Sequence, residues 1–338
     1  MTERSGSATR ANVLPLTTSE DFQALRTEWL ELHAATPEAP IFSHPDWAAA
    51  WLRHFGEPCL PVFLAVRREE ELIGVIPLDM DPGAMALLGN HNLSDYSPIL
   101  AAPGAEALAA RGLLEWLNED MAPFASLWGL PESSPFATAV RELAGQFGRD
   151  ATTEDEALTP TADLPATFDD FLAGLSKKDR HELRRKIRLA ESAGNLRFEE
   201  YTGPGDIAER LDRFLELMRA SRTDKAEFLN GHTEAFFRDI AAMASAAGLM
   251  RLSTITIDGN LAAMTWSFET AETTLLYNSG YAPEYAAISI GIVSKALALR
   301  SAIERGKRRF NFLRGDEDYK FRMGAKARRL LRIQLRHR

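Results

Sequence analysis

The stretch ERGKRRFNFLRGDEDYKFRMG, residues 304–324, contains the most distinctive pattern in this chain of 338 residues. An apolar helix pattern ends at Gly306, and residues 309–313 then predict a strand. The strand leads at once into the turn GDEDYK at 315–320. That turn brings a carboxylate, a phenol and an ammonium together just past a strand end, where α/β folds tend to place functional groups. We therefore predict that the functional site lies at this turn.

The segments around this stretch predict the element order β-α-α-β-β-β-α-β, and then a last strand, for the C-terminal half. Apolar residues at helical spacing predict helices that begin at about residues 206, 233 and 289, the first of them capped by Asp206. The dipeptide Asp258-Gly259 is a strong hairpin signal between two strands. The predicted strands are 196–201, 250–257, 261–268, 274–279, 309–313 and 331–336.

The N-terminal half predicts a weaker copy of that order. Its predicted strands are 13–16, 60–66, 72–78, 95–101 and 124–128, and its predicted helices are 19–33, 46–54, 105–117 and 135–147. The two halves share little residue identity, so the pattern indicates duplication of a fold rather than a sequence repeat. We predict an N-terminal domain at 1–150, a polar, acidic linker at 151–165 and a C-terminal domain at 166–338, each with a mixed α/β sheet.

Composition excludes several classes of protein. Cys59 is the single cysteine, so an internal disulfide and a cysteine-rich zinc site are excluded, and we predict a reducing, cytoplasmic location without a bound metal. No apolar run is long enough for a signal peptide or a spanning helix. The net charge of -9 argues against DNA binding. Residues 305–338 nevertheless carry thirteen Lys/Arg against three Asp/Glu, and this local excess favours an anionic small molecule as partner.

A second basic segment lies at 177–188. It carries seven Lys/Arg against Asp179 and Glu182 in a helical pattern. One interpretation is a solvated helix face, since charge runs commonly have no other role. The other is a helix that faces an anionic ligand.

Four stretches resemble the GNAT N-acetyltransferase fold, and within it the CelD/BcsL-type acetyltransferases, which are related to the FemAB-like peptidyl transferases. They are LSKKDRHELRRKIR at 175–188, GNLAAMTWSF at 259–268, YNSGYAPEYAAISIG at 277–291 and the stretch at 304–324. The resemblance implies a tandem duplication of the GNAT acyl-CoA N-acyltransferase fold. It also implies transfer of an acyl group from acetyl-CoA or another acyl-CoA to an amine.

The resemblance places the cofactor's pyrophosphate at Ser289, Ile290 and Gly291, because the amides and dipole of a helix N-terminus favour anions. Members of that family usually carry Ser-Pro-Gly there. The alternative for these residues is an ordinary helix start. The N-terminal domain has no Asp-x-x-Tyr-Lys turn after its strands, and we expect it to be non-catalytic.

The resemblance and the residue types together make Asp316, Tyr319 and Lys320 the candidate catalytic residues. Asp316 is the expected acceptor of the amine proton, Tyr319 the donor to the leaving thiolate, and Lys320 the group that polarises the carbonyl or holds an anion. The alternatives are a turn residue, a packed ring and an ion-paired lysine. On the first reading, replacing Asp316 or Lys320 lowers turnover and leaves stability nearly unchanged.

Substrate contacts are predicted for Arg314 and for three aromatic residues of the central strands, Trp266, Tyr277 and Tyr281. For Trp266 in particular the alternative is a place in the core. The expected acceptor is an amino sugar, a peptide or a polysaccharide precursor, as in exopolysaccharide or cellulose biosynthesis. Two other functions stay open: an aminoacyl-tRNA-dependent transferase, and a non-catalytic partner in exopolysaccharide synthesis.

Overall fold

The computed structural model describes residues 11–81, 83–119 and 123–338, and the chain divides into two compact units. The first unit contains the residues before 53 together with 56–156 and 329–338. The second contains residues 53–55 and 157–328. Each unit has its own mixed sheet with helices packed against it. None of the described helices is both long and apolar enough to cross a membrane.

The elements of the first unit follow the predicted order closely. Its strands are β1 (Asn12–Leu16), β2 (Pro61–Arg68), β3 (Glu71–Asp81), β4 (Ala84–Leu87), β5 (Leu100–Ala101), β6 (Phe124–Pro131) and β7 (Arg149–Leu158). Its helices are α1 (Ser19–Ala34), α2 (Pro45–Phe55), α3 (Glu106–Glu119) and α4 (Pro135–Leu143), with 3₁₀ turns at Ile41–Ser43 and Ala144–Phe147. The strand predicted at 95–101 is limited to β5, and the prediction missed β4.

The second unit carries the remaining elements. Its strands are β8 (Thr161–Asp163), β9 (Leu196–Tyr201), β10 (Met250–Ile257), β11 (Asn260–Glu269), β12 (Thr273–Tyr281) and β13 (Arg309–Asn311). Its helices are α5 (Phe168–Gly174), α6 (Lys177–Ser192), α7 (Pro204–Ser221), α8 (Thr223–Phe228), α9 (Gly231–Ala246), α10 (Ile290–Glu304) and α11 (Asp318–Arg322), with a 3₁₀ turn at Pro283–Ile288. Asp206 lies inside the first turn of α7, whose N-cap is Gly203, and the prediction missed α8.

The two sheets have the same strand order over five strands. The first runs β1-β2-β3-β4-β6, and the second runs β9-β10-β11-β12-β13. In each sheet the fourth and fifth strands of this series pair in parallel, and the other neighbours pair antiparallel. The shared order shows that one fold is duplicated in tandem, as the sequence predicts.

The domain boundaries differ from the prediction at the end of the chain and at the expected linker. The last strand, β14 (Arg329–His337), pairs with β6 and lies between β6 and β7 in the first sheet, so 166–338 do not form one unit. Residues 151–165 hold most of β7 and all of β8 rather than a linker. The charges that suggested a linker are the exposed side chains of β7, a strand at the sheet edge.

A gap opens between β12 and β13. The two strands pair only over residues 273–275 and 309–311, and β13 then ends, so residues 276–281 of β12 pair with β11 alone among the described strands. Tyr277 is an extra residue in β12, because Trp266 pairs with Asn278 and Ser267 pairs with Leu276. Such a bulge re-aims the side chains and backbone groups of a strand next to a site.

Glycine at position 280 lets β12 lie directly against α7. A Cβ at Gly280 would approach the backbone nitrogen of Met218 to 2.4 Å and the carbonyl oxygen of Leu217 to 2.8 Å. Real side chains do not tolerate such distances, so only glycine brings the strand this close to the helix.

A half-buried ionic network fixes the C-terminal end of α10 on the sheet. Arg305 donates to Glu200 at 3.0 Å and to Glu269 at 3.0 Å, and Lys307 lies 2.9 Å from Glu269. Arg251 reaches Glu200 at 3.3 Å from β10. The network joins β9, β10, β11 and α10, so it sets the position of α10. The N-terminal end of this helix lies at the gap.

Candidate active site

The N-terminus of α10 presents unpaired amides. Ser289, its N-cap, has a left-handed backbone with φ 58° and makes no capping hydrogen bond with its side chain. The amides of Ile292 and Val293 donate to the Ser289 carbonyl at 2.9 and 3.1 Å. The preceding amides, of Ile290 and Gly291, make no hydrogen bond to any residue that the structure describes. Free amides and the helix dipole at this end favour an anion.

Gly291 allows Tyr281, at the end of β12, to pack against this helix start. A Cβ at Gly291 would lie 3.1 Å from Cδ1 of the Tyr281 ring. The Gly291 carbonyl accepts from the Ser294 hydroxyl at 3.1 Å and from Nζ of Lys295 at 2.8 Å. The end of β12, the first turn of α10 and Lys295 are therefore in direct contact.

Lys320 holds the turn that follows β13. Its side chain is 2% exposed, and Nζ donates to the carbonyls of Leu313 at 3.2 Å, Arg314 at 2.8 Å and Gly315 at 3.3 Å. A carboxylate oxygen of Glu317 lies 2.9 Å from the same nitrogen. Three carbonyls and one carboxylate satisfy a buried ammonium, which has three donors.

The turn also contains strained backbone. Leu313 has φ 57°, a left-handed conformation that residues other than glycine seldom adopt. Its amide donates to Oδ1 of Asn311 at 2.8 Å, and its carbonyl accepts from Lys320. Because both sides of this peptide are held by side chains, the chain keeps the sharp bend that ends β13.

Tyr319 and Glu317 have opposite protonation tendencies. Burial, together with the charge on Glu317, raises the pKa of the Tyr319 phenol well above its ordinary value. Burial also raises the pKa of Glu317, but the hydrogen bond and charge of Lys320 and the charge of Arg222 outweigh it and hold that pKa below its usual range. At neutral pH the phenol is therefore protonated and the carboxylate ionised.

Two further lysines, Lys225 of α8 and Lys295 of α10, lie near Tyr319 and the bulge of β12. Lys225 of α8 donates to Oδ1 of Asn278 at 3.0 Å and to the Ser279 carbonyl at 2.5 Å, next to the bulge of β12. Nζ of Lys295 lies 5.4 Å from the centre of the Tyr319 ring. Burial lowers the pKa of Lys295 to about 7, helped by the charge of Lys225, and burial lowers the pKa of Lys225 to about 8, helped by Arg222.

Comparison with known proteins identifies this part of the chain. Residues 177–321 match the family model of the acetyltransferase (GNAT) domain. This part of the protein is a GNAT acetyltransferase domain. The match runs from the first residue of α6 into α11 and includes α10, the gap and the Lys320 turn, so the protein is an acyltransferase. No curated protein sequence matches the chain.

Solved structures share the fold of the whole chain. FemX superposes with a TM-score of 0.65 at 12% identity, over 94% of this chain and 96% of that one. The C-terminal domain (DUF2156) of a putative lysylphosphatidylglycerol synthetase from Agrobacterium fabrum gives 0.57 at 11% identity, over 92% of each chain. A conserved protein of unknown function from Bacteroides thetaiotaomicron gives 0.57 at 13%, over 94% and 97%. At these identities the likeness shows the fold alone.

The GNAT domain brings most of the sequence-predicted residues to one region. Ser289, Ile290 and Gly291 form the start of α10, with Tyr281 against them, and Tyr319 and Lys320 lie in α11, directly after the turn that was predicted to contain them. Arg314 is half-buried in the turn, and its carbonyl accepts a hydrogen bond from Lys320. Asp316 is exposed and makes no hydrogen bond or ion pair with a described residue.

Trp266 does not line an opening. It is fully buried, and its ring packs on Phe214, Phe237 and Phe268, because its side of β11 faces α7 and α9. Tyr277 packs edge-on against the same ring but is half-buried, so it forms the boundary between the aromatic core and the gap.

Sequence reasoning missed Lys225, Lys295 and Arg222. Lys225 and Lys295 lie in helices and Arg222 lies in the extended link between α7 and α8, and only the fold shows that they converge. One signal was present: Lys295 lies six residues after Ser289, on the helix that was predicted to bind the cofactor. Among the described residues no group of three His, Cys, Asp or Glu is placed to hold a metal ion.

We predict that Lys320→Met lowers the free energy of unfolding by at least about 2 kcal/mol, because three carbonyls and Glu317 lose a charged donor. The expectation that replacement at this position spares stability is therefore revised. Lys326→Met is the matched control, since that side chain is exposed and pairs only with exposed Asp163; it should change stability by less than about 0.5 kcal/mol. Urea unfolding of both variants measures this. Equal stability of the two variants contradicts the role assigned to Lys320.

Proposed function

We propose that the protein transfers an acyl group from a coenzyme A thioester to an amine at the start of α10. The observation that carries this proposal is the pair of unpaired amides, Ile290 and Gly291, in contact with the end of β12 where the strand gap opens. Pyrophosphate fits such a helix N-terminus, and in this proposal the extended arm that ends in the thioester lies along the gap beside the bulge.

The groups around Tyr319 suit the chemistry of acyl transfer. The amine nitrogen attacks the thioester carbonyl carbon, a C–N bond forms, and the C–S bond then breaks. Tyr319 keeps its proton at neutral pH and can give it to the leaving thiolate. Lys225 and Lys295 supply positive charge for the oxyanion that develops after the amine attacks and before the C–S bond breaks.

Asp316 is the proposed acceptor of the amine proton. It lies exposed two residues before α11, the helix that carries Tyr319, so an incoming amine can reach it from solvent. Glu317 is less suited because its carboxylate is occupied by Lys320. Lys320 itself is a positioning residue: its Nζ is enclosed by the turn, and it acts on the reaction by placing Tyr319 and Asp316.

The acceptor class that we propose is an amine on an amino sugar, a peptide or a polysaccharide precursor, and the location is the cytoplasm, where acyl-CoA is made. The first unit is proposed to be non-catalytic, since the connection after β6 contains Glu132, Ser133 and Ser134 and no Asp-x-x-Tyr-Lys turn. An aminoacyl-tRNA donor is the second candidate, supported by the basic helix α6 and by the fold shared with FemX.

Titration calorimetry with acetyl-CoA, palmitoyl-CoA and free CoA tests the donor, and thiol release with a panel of amines tests the reaction. We expect Asp316→Asn and Tyr319→Phe each to lower kcat by about a hundred- to ten-thousand-fold, the usual worth of a general acid or base. Tyr319→Phe keeps the ring that packs on Phe312 and Lys295, so its stability should equal that of the parent. Asp318→Asn is the matched control and should retain turnover. Near-parental rates for both variants contradict the assignment.

Donor binding should also take up protons. Lys295 is largely neutral above its pKa of about 7, and a bound polyanion raises that pKa because it favours the ammonium. We therefore expect uptake of up to about one proton at about pH 8 and almost none at about pH 6, where the lysine is already charged. Calorimetry in two buffers of different ionisation enthalpy measures the uptake. Lys295→Met should remove most of it; unchanged uptake in that variant places the donor elsewhere.

A further inference from the structure

One face of α6 carries a row of basic side chains. Lys178, His181, Arg185 and Arg188 follow each other at spacings of three and four residues, so they lie on one side of the helix. All four are exposed, and Arg322 of α11 joins them to form an open groove of about 500 Å³. We call this the α6 groove; Glu182 is its one acidic lining residue.

The acids near the groove are already engaged. Arg185 binds both carboxylate oxygens of Glu182, at 2.9 and 2.8 Å, and Arg322 binds Asp179 at 3.1 Å. Lys178 and Arg188 have no ion-pair partner in the part of the chain that the structure describes. Most exposed arginines of this unit pair with an acid, as Arg213 does with Glu216 and Arg222 does with Asp224. Unpaired cations in one groove create a positive potential that attracts an anion.

The α6 groove adjoins the active site through a second cleft. That cleft is lined by Leu183 and Lys186 of α6, Ile292 of α10, and Tyr319 and Met323. Glu182 and Arg322 line both openings. The second cleft reaches the first turn of α10 and the proposed catalytic phenol. A ligand whose reactive end lies at Tyr319 therefore has a path past Ile292 and between Glu182 and Arg322 to the α6 groove.

We propose that the α6 groove binds the phosphorylated nucleoside end of the donor, the 3′-phospho-ADP group of coenzyme A. This inference rests on the acyl-CoA donor proposed above. The charges match, since the 3′-phosphate is the donor group farthest from the thioester and the basic groove lies at the other end of this path from Tyr319. An RNA donor fits less well, because its backbone needs an extended basic surface and the groove is limited to one face of α6 and to Arg322, in a protein of net charge -9.

The double variant Lys178→Glu/Arg188→Glu tests the proposal, with Arg184→Glu as control. Arg184 lies on the same helix outside the groove and is exposed, so its reversal makes the same chemical change on another face. Affinities for CoA and 3′-dephospho-CoA are measured by calorimetry at low and high salt. The double variant should bind CoA at least about tenfold more weakly at low salt, as two lost exposed charge pairs predict. The loss should shrink at high salt.

The parent should prefer CoA over 3′-dephospho-CoA, and the double variant should lose that preference while Arg184→Glu keeps it. If the parent binds CoA and the double variant binds it equally well, the inference is wrong and the proposed function stands. If the parent binds no CoA, the proposed function fails and the inference fails with it. Tighter binding of a synthetic tRNA acceptor-stem hairpin than of CoA, lost in the double variant, would assign the groove to RNA and overturn the proposal.

Discussion

The buried ammonium of Lys320 is the interaction on which the site depends. It gathers the carbonyls of Leu313, Arg314 and Gly315, and this holds Leu313 in a left-handed conformation and ends β13 after three residues. Because β13 ends there, residues 276–281 of β12 have no neighbouring strand on that side in the described part of the chain, and the gap follows. The same turn leads into α11 and places Tyr319 beneath Lys295. One lysine therefore links the opening in the sheet to the group proposed to do chemistry in it.

The second constraint is electrostatic. Lys225 and Lys295 lie close to the free amides of α10. The charge of Glu317 raises the pKa of both lysines and that of Asp224 raises the pKa of Lys225, but Glu317 is itself held by Lys320. Burying several cations side by side is unfavourable, and the lowered pKa values of the two lysines are the result. A protein keeps such a cluster where it has an anion to bind or a negative charge to stabilise.

Local patterns in the sequence predicted a large part of this structure. The strands β9 and β10 lie at the predicted residues, because alternation and the Asp258-Gly259 turn are local signals. The location of the site at 315–320 stays a prediction, which rests on residue types past a strand end. The partner of β14 could not be predicted in the same way: its alternation indicates a strand but not the sheet that it joins, and long-range pairing placed it beside β6.

The role of individual side chains was harder to predict than their location. Lys320 is of a residue type that often takes part in catalysis. The sequence could not show that its ammonium is buried and bonded to three carbonyls, because this depends on how the backbone bends. Lys225 showed no pattern, and Lys295 only its place on the helix predicted to bind the cofactor, since the burial that lowers the pKa values of both comes from packing between α8, α10 and β12. Trp266 lies on a central strand next to the bulge. Its side chain is in the core rather than in a pocket because it lies on the face of the strand that packs against α7 and α9.

Hydrogen–deuterium exchange in the presence of saturating acetyl-CoA tests the central claim most directly. If the donor binds at the start of α10 and in the strand gap, exchange should slow in the peptide that contains Ile290 and Gly291 and in the one that covers residues 276–281, because the free amides gain an acceptor and the gap is filled. Peptides of β9 and β10, away from the gap, should be unaffected. Bound acetyl-CoA that leaves exchange at Ile290 and Gly291 unchanged would contradict the account.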